Sequence, residues 1–139
     1  MTDRILIAGS GQAGFQTAAS LRQDGFDGEI VLVGDEPGLP YQRPPLSKGF
    51  IKDGAADRLL FRNLDFFEKN RIELEERKSI VSIDRIDRTV ELSDGRTIRY
   101  GHLVLATGTR NRALPLPGFA LRNVLGLRTL DHAEILRAN

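Results

Sequence analysis

The sequence contains no cysteine. Without a thiol the chain can form no disulfide, no thiolate metal site, no iron–sulfur ligation and no cysteine nucleophile. Neither sign of charge is in excess: 20 Lys and Arg stand against 19 Asp and Glu, a net charge of +1, and the two signs are interspersed. The basic excess or stripe expected of a nucleic-acid binder is therefore missing. Apolar runs such as Ile5–Ala8 and Leu103–Ala106 fall far short of the ~18 residues needed to span a bilayer. Met1-Thr2-Asp3-Arg4 leads straight into a short apolar run, without the n-region and h-region of a signal peptide. The two histidines, His102 and His132, have no carboxylate or second histidine at metal-ligand spacing, so both read as structural or exposed. What remains is a globular, cytoplasmic chain of 139 residues, the size of one domain.

The apolar pattern divides the chain into a parallel α/β beginning and an antiparallel middle. Ile5-Leu6-Ile7-Ala8 reads as a strand buried on both faces, closed by Gly9. Phe15, Ala18, Ala19 and Leu21 then recur at helical spacing, and Gly25 reads as the residue that stops the helix. Ile30-Val31-Leu32-Val33 is a second buried strand, so the first thirty-odd residues form a βαβ unit. A Pro-rich loop at Gly38–Leu46 and a short helix around Leu64–Asn70, anchored by Phe66 and Phe67, come next. Ile72–Leu74, Ile80–Ile83, Thr89–Leu92 and Thr97–Tyr100 alternate with period two. Ser93-Asp94-Gly95-Arg96 between two of them is a hairpin turn signal. These four segments are expected to form an antiparallel insert, after which Leu103–Ala106 returns as a fully buried strand. Thr129 is placed to cap a last helix carrying Leu130, Ala133, Ile135 and Leu136. Phe61, Phe66 and Phe67 are expected in the core rather than on a stacking surface.

Gly9-Ser10-Gly11-Gln12-Ala13-Gly14 is a G-x-G-x-x-G string lying between a buried strand and a helix, with acids at Asp35 and Glu36 about 20 residues beyond it. Each part has a physical task. Gly9 permits the tight turn, Gly11 lets backbone N–H groups approach a pyrophosphate, and Gly14 lets the helix pack against the sheet. The helix N-terminus contributes partial positive charge. A carboxylate at the end of the second strand can accept hydrogen bonds from ribose hydroxyls; spacing alone does not separate Asp35 from Glu36, and Asp35 is favoured slightly. A P-loop is excluded, because Phe15 and Gln16 follow Gly14 where Lys and Ser or Thr are required.

Three further strings narrow the reading: Pro40-Tyr41-Gln42-Arg43-Pro44-Pro45-Leu46-Ser47-Lys48, Leu103-Val104-Leu105-Ala106-Thr107-Gly108, and Leu127-Arg128-Thr129-Leu130. In this order behind the glycine loop, and from Arg4 to about Leu136, they resemble the N-terminal part of the FAD-dependent ferredoxin and rubredoxin reductases. That group lies within the pyridine nucleotide-disulfide oxidoreductase superfamily. The resemblance implies a Rossmann-like FAD-binding α/β fold with an antiparallel β-hairpin insert, part of a three-layer FAD/NAD(P)-binding architecture. It implies FAD as cofactor, NAD(P)H as co-substrate and a ferredoxin- or rubredoxin-type electron acceptor. Carried over by residue, it puts the pyrophosphate on Gly9, Gly11, Gln12, Ala13 and Gly14, and the adenosine ribose on Asp35 with Glu36 nearby. Ile80 falls at the adenine end, Thr107 and Gly108 pass close to the cofactor, Arg43 and Arg128 contact it, and Lys48 lies beside the isoalloxazine ring as the catalytic cation.

The resemblance also implies a longer protein, with a second glycine loop, a later Gly-Asp segment and an interface domain that this chain lacks. Residues 1–110 are then the first segment of a discontinuous FAD-binding domain. Residues 111–139 are a connector and helix leading towards a missing NAD(P)H-binding domain, and NADH oxidation by this chain alone is not expected. Within the superfamily, the absence of cysteine fits electron delivery to a protein iron centre better than thiol chemistry. The competing reading is a regulatory NAD-binding Rossmann module without redox activity, which would continue the β-α-β alternation beyond Val33.

Overall fold

The computed structural model describes residues 3–139. In chain order the elements are β1 (Ile5–Ala8), α1 (Gln12–Gln23), β2 (Ile30–Val33), α2 (Gly49–Asp53), α3 (Leu64–Lys69), β3 (Ile72–Glu75), β4 (Ile80–Asp84), β5 (Thr89–Leu92), β6 (Thr97–Arg99), β7 (His102–Leu105) and α4 (Leu130–Ala138). Two compact units contain them. One comprises the chain up to Pro40 together with Phe61–Gly108; the other comprises Tyr41–Leu60 and Thr109–Asn139.

The first unit is built on a four-stranded parallel sheet of order β3-β2-β1-β7. Strict apolar runs make β1 and β2 its centre, because only side chains that tolerate burial on both faces fit there. Their residues divide by pleat. Ile5, Ile7, Ile30 and Leu32 face one way and pack with Phe15 and Ala18 of α1 and Phe67 of α3. Leu6, Val31 and Val33 face the other way, against Val90 and Leu92 of the three-stranded antiparallel sheet β4-β5-β6 and Tyr100 just beyond β6. The unit is thus three layers deep: helices, parallel sheet, antiparallel sheet. Leu6, Ile7, Leu32, Phe67 and Leu92 are at most 1% exposed. Each such side chain contributes roughly 1.5–3 kcal/mol relative to exposure. Phe15 stacks on Phe61 at 4.7 Å and meets Phe66 and Phe67 at 6.0 Å; Phe15 and Phe67 are buried in the core, and Phe61 and Phe66 pack against it half-buried.

Local signals set the ends of these elements. Asp24 caps the C-terminus of α1 and Gly25 follows at φ 88, as a left-handed stop requires. The Asn63 side chain accepts from the Phe66 N–H and caps α3. The turn between β5 and β6 is the expected Ser93–Arg96 segment, closed by the Gly95 N–H on the Leu92 carbonyl at 2.9 Å.

Two expectations require correction. Ile72–Glu75 does not belong to the antiparallel insert: it lies parallel to β2, with Ile30 opposite Ile72 and Val33 opposite Glu75. Alternation of buried and exposed residues specifies a strand with one covered face, and it is silent on the partner's direction. The second correction concerns Leu103–Ala106. As β7 it pairs with β1 alone, at the edge of the sheet, and Leu105 is 64% exposed instead of buried. The β-α-β alternation, expected to stop at Val33, runs one strand further, to β3, and only then gives way to the antiparallel sheet.

The second unit collects what the sequence shows as a proline loop and a terminal helix. A 3₁₀ turn at Pro44–Ser47 begins with two prolines, α2 follows, and another 3₁₀ turn spans Ala56–Leu59. Tyr41, Leu46, Phe50, Leu59 and Ala133 form its core. Thr129 caps α4 by accepting from the His132 N–H at 3.3 Å. Among the described residues, no helix is long and apolar enough to cross a membrane.

Candidate functional site

In the order β3-β2-β1-β7 the sequence of strands reverses between β1 and β7, two parallel neighbours that end at the same end of the sheet. Such a switch point opens a crevice beyond the strands' carboxyl ends. The glycine loop occupies it. Gly9 sits at φ 115, and its N–H donates to the Val33 carbonyl at 2.8 Å. A Cβ there would collide with the Ala106 backbone carbonyl. A Cβ on Gly14 would strike the carbonyl oxygen of Gly9, so the helix meets the loop backbone to backbone. Gly11 differs from both, since a Cβ there would have no neighbour within 4 Å. Gln12 and Ala13 are exposed at the start of α1, whose first-turn N–H groups have no intrahelical partners.

A cavity of about 200 Å³ opens beside this loop, lined by Gly9, Asp35, Lys78, Ser79, Ile80 and Thr107 among others. The exit of β2 forms one wall. Gly34 donates to the Glu75 carbonyl at 3.0 Å, and Lys78 donates back to the Gly34 carbonyl at 2.9 Å. The strap between β3 and β4 is thereby tied to the strand that presents Asp35. Glu36 turns to a separate, smaller pocket that it shares with Ser10 and Gly38, and its carbonyl accepts from the Arg77 N–H at 3.3 Å. Gly108 follows Thr107 at φ 69.

An ion-pair cluster supports the strap from the β5–β6 turn. Lys78 Nζ lies 3.1 Å from Asp94 Oδ2, Arg96 Nε lies 2.9 Å from the same oxygen, and Arg96 also pairs with Glu75. Hydrogen bonds from Arg96 hold the Asp94 carboxyl well below the usual carboxylate range, and Glu75 with Asp94 raises the Arg96 guanidinium above its own. Asp94 therefore stays ionised through mildly acidic pH. At the opposite end of the parallel sheet, Arg22 donates to the carbonyls of Asn70, Phe26, Gly28 and Arg71. Burial lowers the pKa of its guanidinium, and its role is to fix the loops around α1.

The sequence candidates fall into both units. Gly9, Gly11, Gln12, Ala13, Gly14, Asp35, Glu36, Ile80, Thr107 and Gly108 belong to the first, and the cavity gathers Gly9, Asp35, Ile80 and Thr107. Arg43, Lys48 and Arg128 belong to the second. Lys48 is exposed between the proline turn and α2, with its N–H on the Pro45 carbonyl at 2.9 Å. Arg43 Nη1 donates to the Arg128 carbonyl at 2.7 Å, and the guanidinium lies 5.4 Å from the Tyr41 ring centre. The Arg128 N–H donates to Nδ1 of the exposed His132 at 3.2 Å. Among the described residues no group of His, Asp or Glu could hold a metal ion. The sequence reading missed Lys78 and Ser79. They lie in a strap between strands of different sheets, and no local pattern marks them.

These features suit a dinucleotide. Backbone glycines leave room where a pyrophosphate must approach, a helix N-terminus points at the same place, and an acid lines the adjoining cavity. Fold and site together define an α/β protein with a Rossmann-like glycine loop at its sheet's switch point. More narrowly, the chain belongs to the pyridine nucleotide-disulphide oxidoreductase family, whose model matches residues 3–139. It is 53% identical over 136 residues to rhodocoxin reductase of Rhodococcus erythropolis, covering 97% of this chain and 32% of that protein. To putidaredoxin reductase of Pseudomonas putida it is 41% identical over 139 residues, covering 97% and 33%. A crystal structure of a ferredoxin reductase from Rhodopseudomonas palustris superposes with a TM-score of 0.93 at 54% identity, covering 99% of this chain and 34% of that one. The chain spans about a third of the length of the curated relatives it matches.

Proposed function

We propose that this chain is the FAD-binding first part of an NAD(P)H-dependent reductase that passes electrons to a ferredoxin- or rubredoxin-type protein. One observation carries the reading: Gly9 at the head of the glycine loop, Asp35, Ile80 and Thr107 line a single cavity at the sheet's switch point. Support comes from relatives whose names describe reductases of rhodocoxin, putidaredoxin and ferredoxin. In this reading residues 1–110 are the first segment of the FAD-binding domain, and residues 111–139 lead towards an NAD(P)H-binding domain. A cytoplasmic location, where NAD(P)H is supplied, belongs to the same reading.

FAD, when bound, supplies acceptance of a hydride and release of electrons one at a time, and the protein supplies binding, orientation and electrostatics. The N–H groups at Gln12 and Ala13 would bind the pyrophosphate, with Gly9, Gly11 and Gly14 leaving it room. Asp35 would accept from the ribose hydroxyls, with Glu36 nearby. Ile80 would pack at the adenine end, and Thr107 and Gly108 would run alongside the cofactor. Lys48 would place its ammonium by the flavin ring, favouring the more anionic reduced form. Arg43 and Arg128 would make further cofactor contacts. The decisive experiment is to purify the full-length protein, record its flavin absorbance, and follow NAD(P)H-dependent reduction of an added ferredoxin. A colourless protein that does not take up added FAD overturns the proposal.

A further inference from the structure

We infer that Lys78 is a further cofactor-binding residue, donating to the adenosine end of FAD, and that Asp94 is its positioning residue. The inference rests on the FAD reading above. Lys78 is the cation among the residues that line the cavity beyond β2. Its backbone is fixed by the 2.9 Å bond from its N–H to the Gly34 carbonyl, one residue before Asp35. Its side chain is only 29% exposed, and its ammonium is engaged by Asp94 at 3.1 Å.

The contacts around that ammonium close on themselves. Arg96 binds Asp94 through its backbone N–H at 3.1 Å and its Nε at 2.9 Å. Its Nη1 reaches Glu75 Oε1 at 2.9 Å, and the Glu75 carbonyl accepts from Gly34. Ser79 and Ser93 join the strap to the turn a second time, through Ser93 N–H to the Ser79 carbonyl at 2.8 Å and Ser79 N–H to Ser93 Oγ at 3.1 Å. Within the strap Arg77 sits at φ 54, a conformation that non-glycine residues adopt sparingly. A single exposed ion pair contributes little to stability. A closed network that holds the ammonium of a cavity-lining residue limits where that charge can point.

The chemistry of the wall is complementary to adenosine. An ammonium has three donors and no acceptor, and Asp94 takes one of the three. An ionised Asp35 can only accept. Adenosine offers ribose hydroxyl protons to the acid, and ring nitrogens and ribose oxygens to the ammonium. Lys78 and Asp35 thus cover the two halves of its hydrogen-bonding capacity within one cavity.

The test uses the full-length flavoprotein, stripped of flavin and titrated separately with FAD and with FMN, which lacks the adenosine half. Lys78→Met should weaken FAD binding roughly tenfold, as loss of one charge-assisted contact predicts, and leave FMN binding unchanged. Lys78→Arg should largely restore FAD affinity. Asp94→Asn should weaken FAD selectively and by less, and the double variant should bind no more weakly than Lys78→Met, because Asp94 acts through Lys78. If Lys78→Met does not fold, Lys78→Gln replaces it. Unchanged FAD affinity, or equal losses for FAD and FMN, overturns the assignment of Lys78. Additive losses in the double variant overturn the positioning role of Asp94. Failure of the wild-type protein to bind FAD overturns instead the reading on which this inference rests.

Discussion

The guanidinium of Arg43 donates a 2.7 Å hydrogen bond to the backbone carbonyl of Arg128, 85 positions further along the chain. Two arginines that the family resemblance assigns separately to the cofactor are therefore partners of each other. Arg43 also lies 3.3 Å from the Tyr41 hydroxyl, which accepts from the Leu130 N–H at 2.9 Å. The start of α4 is held by this trio. Arg43→Ala should cost about 1–2 kcal/mol, the range for a part-buried carbonyl left without its charged donor. Urea denaturation of the variant beside the wild type measures it, and an unchanged midpoint would remove Arg43 from the fold's support.

The three glycines of the loop should separate into fold and site. Gly14→Ala forces a Cβ onto the Gly9 carbonyl, a backbone atom that cannot step aside, so the protein should lose on the order of 1–3 kcal/mol, as overpacking does. A Cβ on Gly11 meets no protein atom within 4 Å, so Gly11→Val should fold with near wild-type stability while losing FAD. Thermal melts and flavin content, read on the same samples, distinguish the two. Full flavin retention by Gly11→Val would place the pyrophosphate elsewhere.

Asp35 and Glu36 line different cavities, and their contributions to binding should differ accordingly. Asp35→Ala should weaken FAD binding by about 1.5–3 kcal/mol, the range for hydrogen bonds to a charged group. Glu36→Ala should fall within ~0.5 kcal/mol of wild type. Dissociation constants from flavin fluorescence quenching decide the matter, and the reverse order would assign the ribose to Glu36.

Lys48 is exposed, so its replacement should act on the flavin and not on the fold. Lys48→Met keeps the aliphatic stem and removes the charge that favours a reduced, more anionic ring. In the full-length enzyme the flavin reduction potential should fall and reduction by NAD(P)H should slow, with stability within ~0.5 kcal/mol of wild type. Redox titration is the measurement. A potential equal to that of the wild type would leave Lys48 an ordinary surface charge.

The sequence by itself determined the pieces whose information is local. Unbroken apolar runs made β1 and β2 central strands, helical spacing made α1, and Ser93–Arg96 made a turn, because each pattern constrains only neighbouring backbone and the face it shows. The glycine loop and Asp35 were legible for the same reason, as short strings with fixed spacing to a strand and a helix. Only the tertiary structure decided pairings between distant segments. Ile72–Glu75 lies parallel to β2 although its alternation suits either direction, since alternation encodes a covered face and not a partner. Leu105 is exposed although its run reads as buried, because its strand has one neighbour and not two. Lys78 reaches the cavity wall, and Asp94 reaches Lys78, through the packing of one sheet on another. No stretch of sequence contains that contact; it arises where strands from two layers end at the same place.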